Sequence, residues 1–110
     1  MSSAHSFGVY TAAFPFLDSG EDKIRPVIVI SQPQGRHNVI AIVPVSSRTH
    51  KEPVDVTVSA WSNAGLLKPS VARVHRLTTM LQSDLIAELG KLDDLDIDNL
   101  CSGIRAFLNL

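Results

Sequence analysis

Ile24-Arg25-Pro26-Val27-Ile28-Val29-Ile30 is the stretch that decides the fold of this 110-residue chain. From Pro26 onward it is a continuous apolar and mostly β-branched run, which is typical of a strand buried on both faces. Proline suits the first position of such a strand because no donor to the ladder is needed there. We therefore predict a core strand that begins at Pro26, with Arg25 immediately before its first residue.

Similar runs on both sides of this stretch predict neighbouring strands. Residues 7–14 mix aromatic and β-branched side chains and predict a first strand, which a polar loop over 17–22 follows. Residues 39–45 form another β-branched run, and it ends at Ser46 and Ser47. Two hydroxyl side chains are therefore expected at the end of a core strand.

Two later segments predict the remaining strands. Residues 54–58 alternate valine with polar residues, the period of two of a strand that buries one face and wets the other, with Asp55 on the wet face. Residues 71–77 predict a fifth strand after a break at Pro69. Residues 83–92 allow either a helical turn or a strand.

The last segment changes period and predicts a terminal amphipathic helix. Its apolar residues recur at spacings of three and four, and three aspartates crowd its start, where carboxylates favour the helix dipole. The apolar positions are Ile97, Leu100, Cys101, Ile104, Phe107 and Leu108. The expected architecture is one domain over 1–110, mainly β, in the form of a small antiparallel barrel closed by one or two helices.

Composition limits the class of protein further. Hydrophobic residues make up 45% of the chain and charged residues 19%, as in ordinary globular domains. Cys101 is the only cysteine, which excludes an internal disulfide and favours a reducing compartment. Residues 1–6 lack the features of a secretion signal, and no apolar run is long enough to cross a membrane. We expect a cytoplasmic protein.

Charge is distributed unevenly along the chain. The net charge of −1 argues against a general nucleic-acid coat protein, which would need an excess of Lys and Arg. Residues 1–82 nevertheless carry a net charge of +3 and all four histidines, whereas residues 83–110 carry −4. A polyanion would therefore meet the first part of the chain, although two differently solvated faces would give the same distribution.

Four segments, in this order and at these intervals, resemble the MazF/PemK-like ribonuclease toxins over about residues 7–110. Each segment alone is common, and their combination is specific. They are Phe14-Pro15-Phe16, Ile24-Arg25-Pro26-Val27-Ile28-Val29, Val43-Pro44-Val45-Ser46-Ser47 and Gly65-Leu66-Leu67-Lys68-Pro69-Ser70-Val71-Ala72-Arg73-Val74.

The resemblance implies a fold, an activity and partners. The implied fold is the small SH3-like antiparallel barrel of the CcdB/MazF/PemK type with a C-terminal helix. The implied activity is that of a homodimeric toxin which cuts single-stranded RNA without metal or cofactor and leaves a cyclic phosphate and a 5'-hydroxyl. The implied regulator is a cognate antitoxin peptide.

The resemblance also assigns roles to residues. Arg25 and Ser46 match the arginine and the hydroxyl residue of the family's reaction centre, and Arg73 and His75 match an Arg-x-Asp pair that contributes in some members. Further phosphate contacts would line the groove: Lys23, Ser47, Arg48, Lys68 and Arg76.

The chemistry of these side chains fits the cleavage of RNA. Arginine holds phosphate through paired hydrogen bonds and keeps its charge, so Arg25 is expected to stabilise the transition state while Ser46 Oγ holds a non-bridging oxygen. His75 stands where the family has aspartate, and we predict that it is the titrating group, since histidine changes charge near neutral pH.

Each assignment has a structural alternative. Arg25 could cap a strand and pair with Asp22 or Glu21, and the serines could satisfy their own turn. His75 could face solvent or pair with Asp55 or Glu52. The cations could be solvated surface charges, and Trp61 could stack a base, although packing in the core or in a dimer interface suits it better.

Two rival functions use the same barrel. CcdB-like toxins bind gyrase and depend on a Trp-Gly-Ile ending, whereas this chain ends in Leu108-Asn109-Leu110. A toxin that binds its antitoxin but has lost cleavage would explain the missing aspartate at position 75. A second departure, Gly8-Val9 where most members have Gly-Asp, is expected to affect a structural contact.

Overall fold

The structure is a computed structural model that describes residues 4–13 and 23–110. Within them the chain forms seven strands, one α-helix and two 3-10 turns, at Val74–Arg76 and Gln82–Asp84. The strands and helix are β1 (Gly8–Ala13), β2 (Ile24–Val29), β3 (Val39–Ser46), β4 (Val56–Val58), β5 (Ser70–Ala72), β6 (Thr78–Leu81), β7 (Leu85–Lys91) and α1 (Asp94–Leu108). The predicted class, an antiparallel β fold with a terminal helix, is confirmed.

The described strands form one antiparallel sheet in the order β4-β5-β3-β2-β1-β7, and β6 also pairs with β3. The predicted first strand is confirmed as far as Ala13. Residue 14 and the predicted polar loop over 17–22 lie outside the described residues.

The central strand begins earlier than the sequence predicts. β2 starts at Ile24, which lies opposite Ala13 of β1, so Arg25 is within the strand. Pro26 lies one residue before the pairing with β3 begins at Val27, so its missing N–H removes no bond from the β2–β3 ladder.

The predicted fifth strand over 71–77 is wrong in its extent. β5 ends at Ala72, a 3-10 turn follows, and β6 then runs from Thr78. The reason is that both short strands pair with β3, β5 near its end and β6 near its start, so the chain must turn between them. Residues 83–92, for which the sequence allows either a helical turn or a strand, form mainly the strand β7.

Asp55 contradicts the predicted wet face. It precedes β4 and is 5% exposed, whereas Thr57 on the same side of the alternation is exposed as predicted. Asp55 can be buried because its carboxylate accepts hydrogen bonds from three residues, Glu52, Arg73 and His75, a compensation that the alternation of residue types does not reveal.

Two apolar cores lie on the two faces of the sheet, and residues of β2 and β3 alternate between them. We call the first the helix-side core because α1 covers it; it includes Val9, Ile28, Val43, Val45, Val74, Leu92 and Leu100. The second, the opposite core, is formed by Ala4, Tyr10, Ala12, Val27, Val29, Ile40, Ile42 and Leu85. The prediction that β2 is buried on both faces is therefore confirmed.

The terminal helix follows its predicted bounds closely. The Asp93 side chain caps it by accepting a hydrogen bond from the Asp96 amide at 2.9 Å. The buried Asp96 carboxylate accepts the amides of Ser59 at 3.0 Å and Ala60 at 2.9 Å, which ties the helix to the segment after β4. Asn109 ends the helix in the left-handed conformation.

Candidate active site

Arg25 and Ser46 lie on neighbouring strands at the same end of the sheet. Val27 pairs with Pro44 and Ile28 with Val43, and Arg25 and Ser46 lie two residues beyond this pairing on β2 and β3, where continuation of the same register would set them opposite each other. Opposite residues of an antiparallel pair project from the same face and lie about 5 Å apart. Continued in this way, the register would bring the two side chains that the sequence selected to the same face of the sheet.

The Ser46 hydroxyl has a local partner. Its Oγ accepts a hydrogen bond from the amide of Arg48 at 3.1 Å, which is the turn contact that the structural alternative anticipated. A hydroxyl is both donor and acceptor, and this bond uses only an acceptor position. The Ser46 proton is therefore not consumed by the turn.

Arg25 is half-buried within β2, between β1 and β3, and lies opposite Ala12 of β1. The alternative pairing of Arg25 with Asp22 or Glu21 falls outside the described residues.

A second group of side chains converges on Asp55. His75 Nδ1 lies 2.7 Å from Asp55 Oδ1, and the backbone amide of His75 donates to the same oxygen at 3.2 Å. Oδ2 accepts the amide of Glu52 at 3.0 Å and Arg73 Nη1 at 3.4 Å. The Asp55 side chain has no exposed surface, whereas that of His75 is 30% exposed.

This environment sets the protonation of Asp55. Burial by itself would raise the pKa of its carboxyl, but hydrogen bonds from the His75 ring, the Glu52 amide and the His75 amide, with the charge of His75, hold that pKa below its ordinary value. At neutral pH the carboxylate is ionised and can only accept, so His75 Nδ1 is the donor. In the neutral imidazole, Nε2 is then left as an acceptor, the tautomer that a general base requires.

Arg73 stabilises the segment that follows β3. Its Nη2 donates to the carbonyl of Arg48 at 2.9 Å, and its Nη1 donates to the carbonyl of His50 and to Asp55. The Arg73 side chain is 12% exposed. These contacts show that Arg73 holds the segment from Arg48 to Asp55 in place.

The peptide of Arg48 connects the two groups of side chains. Its N–H donates to Ser46 Oγ while its carbonyl accepts from Arg73, which in turn contacts Asp55. The backbone adds a second link, since the amide of Arg73 donates to the carbonyl of Pro44 at 2.8 Å. One hydrogen-bonded network therefore runs from Ser46 to the Asp55–His75 pair.

The residues predicted to contact phosphate divide into two sets. Lys23 precedes β2, Ser47 and Arg48 follow β3, and Lys68 precedes β5, so these four flank the same end of the sheet as Ser46, and all are exposed. Arg76 is exposed and ends the 3-10 turn that connects β5 to β6. These two strands pair with different parts of β3, so Arg76 lies away from the end of the sheet that carries Ser46.

Two residues of this region were missed as site residues in the sequence. The residue pattern places Asp55 on a wet strand face, with His75 as one of its alternatives for pairing, and its burial shows in no periodicity. Lys51 was not singled out, yet its Nζ donates to Thr57 Oγ1 at 3.3 Å beside the network. No sequence signal distinguishes it from the other lysines. Trp61 packs against the helix-side core, as its structural alternative predicted.

Within residues 4–13 and 23–110, no cluster of three or more His, Cys, Asp or Glu side chains is arranged as a metal site. In the same residues no helix has both the length and the apolar character needed to cross a bilayer.

Three solved structures with the same fold are distant from this chain in sequence. The Mycobacterium tuberculosis toxin MazF-mt6 superposes with a TM-score of 0.73 at 22% identity, over 94% of this chain and 97% of its own. MazF of Deinococcus radiodurans gives a TM-score of 0.77 at 18% identity over 100% of both chains. A structure described as an endoribonuclease in complex with its cognate antitoxin, from a mycobacterial species, gives 0.74 at 15% identity over 97% and 96%. At these identities the likeness establishes the fold alone.

Sequence comparison establishes the family. No curated protein sequence matches the chain. The family described as "PemK-like, MazF-like toxin of type II toxin-antitoxin system" matches residues 5–108, nearly the whole chain. That match agrees with the resemblance carried by the Arg25 and Ser46 segments and with the architecture of the sheet. The chain belongs to the PemK-like, MazF-like toxins of type II toxin-antitoxin systems.

Proposed function

We propose that this toxin is a metal-independent endoribonuclease that cleaves single-stranded RNA, including mRNA, by attack of a 2'-hydroxyl on the adjacent phosphate. The products are a 2',3'-cyclic phosphate and a 5'-hydroxyl. The observation that supports the proposal is the β2–β3 register, in which Val27 pairs with Pro44, because its continuation by two residues would place Arg25 opposite Ser46 at one end of the sheet. A guanidinium and an alcohol on one face can hold two oxygens of the same phosphodiester.

In this reaction the 2'-oxygen forms a bond to phosphorus, and the bond from phosphorus to the 5'-oxygen breaks. Negative charge develops on the non-bridging oxygens, where Arg25 supplies a fixed positive charge and Ser46 Oγ donates a hydrogen bond. Positioned donors of this kind are worth about 3 kcal/mol each in transition-state stabilisation.

The proton of the 2'-hydroxyl needs an acceptor, and His75 is our candidate. The Asp55 carboxylate fixes the imidazole through Nδ1 and leaves Nε2 as the basic nitrogen. The resulting imidazolium can return a proton to the departing 5'-oxygen. Arg73 acts indirectly, because it orders the segment that carries Asp55 and Arg48.

The partners follow from the family and from the related structures. Two of these are described as MazE–MazF complexes from Deinococcus radiodurans, and another contains a cognate antitoxin. We propose that a cognate antitoxin peptide inhibits this chain too, that the active form is a homodimer, and that it acts in the cytoplasm, where its RNA substrate is found.

Cleavage is tested with purified protein and a long single-stranded RNA in the presence of EDTA. We expect cleavage with 2',3'-cyclic phosphate ends, and no cleavage where a 2'-deoxynucleotide replaces the attacking residue. Arg25→Ala should reduce the rate constant by at least about a hundred-fold. The matched control is Arg36→Ala, an exposed arginine in the turn before β3.

Three results would reject parts of this proposal. Intact RNA with the parent protein rejects the nuclease activity and leaves a toxin that acts by binding. Equal rates for Arg25→Ala and the parent reject the assigned site. A His75→Ala variant that cleaves at the parent rate with an unchanged pH profile rejects only the role of His75.

A further inference from the structure

Lys51 lies in the segment between β3 and β4 and extends toward the face of the sheet that carries Ser46. Its Nζ donates to Thr57 Oγ1 at 3.3 Å, although the lysine itself is exposed. An ammonium has three N–H donors, so this contact leaves donors for a further acceptor. Among the described carboxylates none forms an ion pair with Lys51.

The sheet register connects Lys51 to the candidate active site. Thr57 of β4 lies opposite Val71 of β5, and Val71 lies opposite Ser46 of β3. Opposite residues share a face, so Thr57, Val71 and Ser46 form one row across β4, β5 and β3, and the β2–β3 register, continued by two residues, would extend this row to Arg25. Thr57, which holds the Lys51 ammonium, is roughly 10 Å from Ser46, because two strand spacings separate them.

The backbone on both sides of Lys51 is fixed by hydrogen bonds. The carbonyl of His50 accepts from Arg73, and the amide of Glu52 donates to the buried Asp55 carboxylate. The amide of Asp55 closes the segment by donating to the carbonyl of Glu52 at 2.9 Å. A cation on such a segment is preorganised, so binding costs less conformational entropy than it would on a free loop.

We propose that Lys51 binds a backbone phosphate of the RNA strand that lies along this row, adjacent to the phosphate held at Arg25 and Ser46. The proposal rests on the proposed nuclease function and assigns a neighbouring phosphate contact to that site. A strand that crosses the ends of β2, β3, β5 and β4 meets Arg25, Ser46 and the Lys51 ammonium in sequence. Lys51 contributes to binding and takes no part in proton transfer.

The test is the salt dependence of binding to a single-stranded oligodeoxynucleotide, which lacks the attacking 2'-hydroxyl and stays intact. For single strands, the slope of log K against log salt changes by about 0.7 for each phosphate contact. Lys51→Ala should make the slope less negative by that amount and weaken binding at low salt. Lys51→Arg should restore both. Lys91→Ala is the matched control, since Lys91 is exposed on β7, at the far edge of the sheet.

Cleavage kinetics with RNA give an independent readout. Lys51→Ala should raise KM and leave kcat unchanged, because the contact is the same in the ground state and the transition state. If the parent binds and cleaves but the slope for Lys51→Ala equals the parent slope, the Lys51 assignment is wrong and the nuclease proposal stands. If the parent neither binds nor cleaves, both proposals fail.

Discussion

Asp55 is the residue on which the contacts around the candidate site converge. Its two oxygens accept from a histidine ring, a guanidinium and two backbone amides, and its side chain is fully buried. A buried carboxylate is costly unless it is paired and hydrogen-bonded, and here both conditions hold. The same contacts that stabilise the charge also fix His75 and the segment that carries Lys51.

We expect the stability of the protein to depend on the ionisation of Asp55. Its pKa is lowered below the ordinary value of 3.8, so the carboxylate stabilises the folded state at pH values above that value, and this contribution is lost as the pH falls through the folded pKa. Asp55→Asn should therefore cost about 2 to 4 kcal/mol at neutral pH, and the difference from the parent should shrink below pH about 4.

Urea unfolding at a series of pH values measures this difference. Asp98→Asn is the matched control, because Asp98 is exposed on the same chain and its removal should leave the pH profile close to that of the parent. Parallel profiles for Asp55→Asn and the parent would contradict the account of the carboxylate given above.

At the residue scale, sequence reasoning located the strand-end residues better than the buried network. The places of Arg25 and Ser46 could be predicted because each flanks a clear β-branched run, and the family resemblance marked them as site residues. Asp55 could not, since its burial depends on Arg73 and His75 folding back from β5, a contact between distant parts of the chain. The assigned catalytic and phosphate-binding roles stay predictions.

At the element scale, α1 packs closely against the start of β4. A Cβ built on Gly103 would lie 2.7 Å from the carbonyl oxygen of Val54 and 2.9 Å from Val56 Cγ2. Helix propensity alone favours alanine over glycine by about 1 kcal/mol. Packing opposes that preference, because the backbone oxygen of Val54 cannot move without displacing the strand.

We expect Gly103→Ala to destabilise the protein by about 1 to 3 kcal/mol, the usual cost of forcing an extra group into a packed interface. Ser102→Ala is the matched control: Ser102 is the exposed neighbour on the same helix and should gain a few tenths of a kcal/mol. Thermal or urea unfolding distinguishes the two effects. A stabilising Gly103→Ala would mean that the helix lies farther from β4 than the structure has it.

Strands and helices could be predicted from the sequence where one spacing of apolar residues runs through the whole segment. The helix from Asp94 and the core strand around Val27 each bury a regular face, so their residue patterns determine them. The residue pattern of 71–77 predicts one strand, yet these residues comprise the end of β5, a 3-10 turn and the residue that precedes β6. The division arises because β3 is long enough to pair with two short strands in succession, which depends on β3 and not on the local residues.

At the scale of the whole molecule, two cores share one sheet. Successive residues of β2, such as Val27 and Ile28, belong to the opposite core and the helix-side core respectively. Loss of packing in either core would also remove contacts from β2 and β3, because both cores contain side chains of these two strands. The fold should therefore unfold as one cooperative unit, although the two cores are separated by the sheet.

The only tryptophan and the only tyrosine report on different cores, which makes this cooperativity measurable. Trp61 packs against the helix-side core and Tyr10 belongs to the opposite core. Leu100→Ala and Ile40→Ala each remove a fully buried side chain from one core and should each cost about 2 to 5 kcal/mol. In urea, at one fixed protein concentration, Trp61 fluorescence and the near-ultraviolet circular dichroism of Tyr10 should shift together in both variants. If Ile40→Ala moved the Tyr10 transition and left that of Trp61 in place, the two faces would be separate folding units and the shared sheet would not couple them.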